Sequence, residues 1–166
     1  MRIIFASAFL LTSVSALAQN ADTLYTQACG PKAASFQVDQ VQGQPSTSPQ
    51  PGKALVYVIQ QISGPGIVTR IGLDGSWGGV IAGNSYIPLV VSPGEHHLCA
   101  ATQNTKHPEA QLAHLNAQAG KVYYFLIRCR AADLGNSITM AFDPADRDEA
   151  LYLIASDRQS VAKPKP

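Results

Sequence analysis

From residue 54 to residue 142 apolar positions come in short runs, each cut off by Gly, Pro, Asp or Asn roughly every ten residues. Runs of that length rich in Val, Ile and Tyr are strand signals. Ala54 to Gln61 (ALVYVIQQ) is the best defined. Ile67 to Leu73, Val80-Ile81, Tyr86 to Val91, Glu95 to Thr102, Leu112 to Gln118, Val122 to Arg130 and Ser137 to Phe142 follow. Asp74-Gly75 predicts a two-residue hairpin turn, and Pro93-Gly94 a second reversal. Upstream, Ala34 to Val41 alternates and reads as an edge strand. Asn20 can cap a short helix that runs to Ala28 and stops at Gly30-Pro31. Near the end the period lengthens. Asp143 as N-cap, Pro144 at the first helical position and Asp146 in the first turn predict a helix over 144–155.

No strand–helix–strand alternation is visible, so the pattern predicts a mainly β protein: a single antiparallel β-sandwich with a short C-terminal helix. The expected divisions are 1–18, 19–50 as an N-terminal arm and linker, 51–157 as the domain, and 158–166 as a disordered tail. The linker expectation rests on the Gln, Pro, Ser and Thr content of residues 42–52.

Residues 1–18 stand apart. Met1-Arg2, the apolar run Ile3 to Leu11 and Ala16-Leu17-Ala18 have the form of a cleavable export signal. The run is too short for a permanent span. The expected product is soluble, secreted or periplasmic, begins near Gln19 and does not span a membrane. In such a compartment the three cysteines, Cys29, Cys99 and Cys129, can form one disulfide and leave one thiol. The 166-residue chain carries a net charge of +1 with 14% charged residues. Lys and Arg are scattered, which argues against a nucleic-acid partner.

Several blocks resemble a family of exported bacterial proteins known as DUF2846, a domain of unknown function. They are Pro51 to Ile59 (PGKALVYVI), Arg70 to Gly75 (RIGLDG), Gly83 to Tyr86 (GNSY), Pro93 to Cys99 (PGEHHLC) and Ala119 to Phe125 (AGKVYYF). The likeness covers 51–130 and extends weakly to Ala28-Cys29-Gly30-Pro31 and the C-terminal helix. It implies export and a β-sandwich, and no known reaction. Cys29 and Cys99 fall in family-like blocks, so the resemblance implies a Cys29–Cys99 disulfide. Cys99–Cys129 is the alternative, and the leftover thiol is expected to be buried.

Candidate chemistry is sparse. His96 and His97 are consecutive on a strand and point to opposite faces, so they cannot chelate one metal together. His107 and His114 lack ligand spacing. Gly83-Asn84-Ser85-Tyr86-Ile87 lacks the last glycine of a nucleophile elbow, and Ser160-Val161-Ala162-Lys163 matches S-x-x-K within a polar tail. Asp143, Asp146, Asp148 and Glu149 lack the glycine bend of a calcium loop. Tyr57, Tyr86, Tyr123 and Tyr124 read as strand packing. Trp77, between Ser76 and Gly78-Gly79, is either a ligand platform or a plug over the end of the domain. No catalytic set, metal site or cofactor is predicted. Trp77, His96 and His97 remain as ligand-binding candidates. The expected function is a non-enzymatic binding or structural module of the bacterial cell envelope, with an envelope protein or a glycan as partner. The alternative is a small hydrolase or metal-dependent enzyme that uses His96 or His97 with Asp74 or Glu95.

Overall fold

The computed structural model describes residues 20–62, 67–103, 109–131 and 138–164. The expected leader at 1–18 and His107 lie outside them. In chain order the elements are α1 (Ala21–Ala28), β1 (Phe36–Val41), β2 (Ala54–Gln61), β3 (Val68–Leu73), β4 (Ser76–Ala82), β5 (Ser85–Val91), β6 (Gly94–Gln103), β7 (Ala110–Ala117), β8 (Val122–Ala131), β9 (Ile138–Pro144), α2 (Arg147–Ser156) and β10 (Arg158–Pro164). The strands form two sheets, one of order β1-β10-β5-β2-β8-β9 and one of order β4-β3-β6-β7. The protein is thus mainly β with a short C-terminal helix.

The smaller sheet is antiparallel throughout. The larger is mixed, which corrects the expectation of purely antiparallel pairing. β2 lies parallel to β8, and β10 joins β5 by a short parallel ladder. Each time the chain leaves β2 or β5 it forms a hairpin in the other sheet and comes back. Its second return sets β8 beside β2 in the same direction. Turn signals report only local reversals, so they could not reveal this pairing.

β2 occupies the middle of the large sheet and is covered on both sides. Val56 and Val58 face a core shared with Ile71, Ile81, Leu98 and Leu115 of the small sheet. Leu55, Tyr57 and Ile59 face outward, beneath Ala150 and Ile154 of α2. Double coverage accounts for an unbroken apolar run where a half-exposed strand would alternate.

Two expectations at the ends are corrected. Residues 158–164 are not a disordered tail. They form β10, which pairs with β1 from Phe36↔Pro164 to Val41↔Gln159. Ser160 supplies a buried anchor: its Oγ lies 2.7 Å from Ser85 Oγ. Nor is the N-terminal segment loose. α1 is clamped to the small sheet, β1 closes the large one, and the 42–52 stretch lies on Tyr57, whose hydroxyl donates to the Ser46 carbonyl at 2.9 Å. Finally, α2 starts three residues later than expected. Asp143 and Pro144 complete β9, and Asp146 is the N-cap, its side chain accepting from the amides of Asp148 and Glu149.

Candidate functional site

The Asp74-Gly75 turn is built as its sequence predicts. Both residues have positive φ, 49° and 79°, as a type I′ hairpin requires, and Leu73 pairs directly with Ser76. The turn holds the Asp74 carboxylate against β6. Its Oδ1 accepts from the His97 amide at 2.9 Å, and Oδ2 lies 2.7 Å from His96 Nδ1. His96 Nε2 lies 2.7 Å from the Ser92 carbonyl. Both ring nitrogens are therefore engaged, one by a carboxylate oxygen and one by a carbonyl that can only accept, an arrangement that favours the protonated ring. Burial is the largest single influence on its pKa and lowers it. The Asp74 hydrogen bond, the Ser92 carbonyl and the Asp74 charge together outweigh burial and raise the pKa above the ordinary 6.5. The carboxylate–histidine contact that the enzyme alternative needs is therefore present, but the far nitrogen is taken up by the Ser92 carbonyl rather than open to a substrate. Glu95 lies elsewhere, exposed and opposite Asn116 on β7.

The serines of the two weak nucleophile motifs meet each other. Ser85 and Ser160 are buried and share a hydrogen bond, and Ser85 also donates to the Ala82 carbonyl at 3.0 Å. Lys163, the base of the S-x-x-K reading, pairs instead with Asp39. These serines lock β10 to β5 rather than face a substrate.

Trp77 is half-buried and engaged on several sides. Its indole N–H donates to the Pro31 carbonyl at 3.0 Å. Gly30 lies so close that a Cβ there would fall 2.5 Å from the indole. The Arg70 guanidinium lies 4.6 Å from the ring centre. α1 is fixed beside it by the Cys29–Cys99 disulfide, the pairing implied by the resemblance. Gly72 and Gly75 permit this docking, since a Cβ at either would strike the carbonyls of Ala28 or Thr26 within 3 Å. Cys129 is free and exposed on β8, not buried as expected.

Beside Trp77 lies a feature that sequence reasoning missed. Arg70 is only 5% exposed. Its Nη1 donates to the carbonyls of Lys32 and Ala34 at 2.9 and 2.8 Å, and Nη2 reaches the Thr102 carbonyl at 3.5 Å. Among the described residues Nε has no acceptor and no carboxylate pairs with this guanidinium. Arg70 lines a cleft of about 310 Å³ together with Tyr25, Lys32 and Ala110. Lys32 sits 5.1 Å over the Tyr25 ring and pairs with Asp22 at 3.2 Å. The available signal was a lone cation inside the run Ile67 to Leu73. A second cavity of about 240 Å³, between residues 44–50 and Tyr57, Tyr86 and Pro88, has no Lys, Arg, His, Asp or Glu among the described residues of its wall.

The other histidine candidate, His97, is exposed and faces His114 across the β6–β7 ladder. Sequence spacing gave no hint of this pair, because its register is set by the hairpin. Among the described residues no group of three or more His, Cys, Asp or Glu side chains is placed to hold a metal. No described helix is long and apolar enough to cross a membrane. No family model, curated protein or solved structure matches the chain.

Proposed function

We propose that this is an exported, non-enzymatic binding module of the bacterial cell envelope, periplasmic or secreted, and that the cleft at Arg70 receives an acidic group on an envelope protein or glycan. The carrying observation is the buried Arg70 guanidinium, which has no carboxylate partner among the described residues and sits in an open cleft beside Tyr25 and Lys32. A buried cation without a counter-ion is costly. An anionic group supplied from outside offsets that cost and gains charge-assisted hydrogen bonds. The disulfide fits an oxidising compartment. The kinship with DUF2846 belongs to the same proposal and rests on the sequence blocks alone. So does the reading of the two sheets as leaves of a sandwich, which their shared core supports.

The hydrolase alternative gains the Asp74–His96 contact but lacks a free ring nitrogen on His96. Affinity capture from cell-envelope extract separates the two readings. The native protein should retain a protein or glycan that Lys32→Glu, a change at an exposed position, releases. Equal retention by both proteins, or turnover of an ester or peptide that is lost in His96→Gln, would overturn the binding reading.

A further inference from the structure

His97 on β6 lies directly opposite His114 on β7. Facing residues of an antiparallel pair project to the same side, with Cβ atoms about 5 Å apart. The two rings are 5.6 Å apart, centroid to centroid, and tilted by 59°. Both side chains are exposed, and among the described residues neither ring takes part in a hydrogen bond or ion pair. His96 points the opposite way and is held by Asp74 and Ser92. It does not compete for the same ligand.

Neutral imidazole is a preferred ligand for copper, zinc and nickel, at about 2.0–2.1 Å from the ring nitrogen. A cation on the nitrogen lone pair therefore lies about 3.2 Å from the ring centre. Two ring centres 5.6 Å apart then subtend about 120° at a shared cation. That angle is close to trigonal and somewhat wider than tetrahedral. We propose that His97 and His114 form a two-imidazole site for a divalent transition metal, Cu²⁺ ahead of Zn²⁺ by the usual affinity order, with water in the remaining positions. The site shares no residue with the Arg70 cleft and stands or falls independently of it.

The test is titration of Cu²⁺ into the protein carrying Cys129→Ser, which removes the exposed thiol as a rival ligand. One equivalent should bind. His97→Gln and His114→Gln should each weaken that binding by about tenfold or more, while His107→Gln leaves it unchanged. Pulsed electron paramagnetic resonance of bound Cu²⁺ counts coordinated imidazoles without relying on any histidine variant. Two imidazoles support the site. One or none, or undiminished affinity in His114→Gln, would overturn it.

Discussion

At the scale of single residues, His96 and Arg70 show how similar chemistry leads to opposite roles. His96 is saturated: a carboxylate holds one nitrogen and a carbonyl the other, so its charge pins the β3–β4 turn to the segment entering β6. Its folded pKa is raised, so the native state holds the proton to higher pH than the unfolded chain does. The contribution is complete below about 6.5 and fades as pH rises through the folded value. Denaturant unfolding should therefore show stability falling across that window, by about 1 kcal/mol once the exposure of Asp74 is allowed for. His96→Gln should remove the slope. A pH-independent native protein would show that the contact is not held in solution. Arg70, in contrast, is under-satisfied. Ser160 is a third case: Ser160→Ala leaves Ser85 without its buried partner and should cost about 1–2 kcal/mol, measured as a lower denaturation midpoint.

At the scale of elements, legibility follows how local each signal is. Asp74-Gly75 was readable because a type I′ turn is decided by two residues. Ala54 to Gln61 was readable because β-branched residues crowd it, and Asn20 because a cap acts over one turn. β10 was not, since Arg158 to Pro164 has a polar, Pro-flanked composition that only its partners β1 and β5 turn into a strand. The shift of the α2 cap from Asp143 to Asp146 has a similar cause. β8 pairs with Asp143 and Pro144 and draws them into β9. The Arg70 cleft and the His97–His114 pair depend on which strands become neighbours, and no spacing along the chain encodes that. α2 roofs Leu55, Tyr57 and Ile59, so Ile154→Ala should cost about 2–4 kcal/mol by opening a cavity there. A loss under 1 kcal/mol in thermal unfolding would mean that the helix is not docked.

At the scale of the whole molecule, the disulfide fastens the N-terminal helix to the small sheet and closes a loop of 70 residues. Replacing Cys29 and Cys99 together by Ala should cost about 3–4 kcal/mol, with strand content retained in circular dichroism. Loss of all β signal would show that the clamp is needed for folding itself. The same clamp fixes the segment that sets Tyr25 and Lys32 beside Arg70, so the binding proposed for that cleft is tied to the disulfide. Trp77 is the chain's single tryptophan and touches Arg70, which makes its fluorescence a direct reporter of that cleft. Fractionated acidic envelope material should produce a saturable change in this emission, abolished in Lys32→Glu and preserved in His97→Gln. An emission that stays flat while the same material binds, or a response that survives Lys32→Glu unaltered, would contradict binding at Arg70.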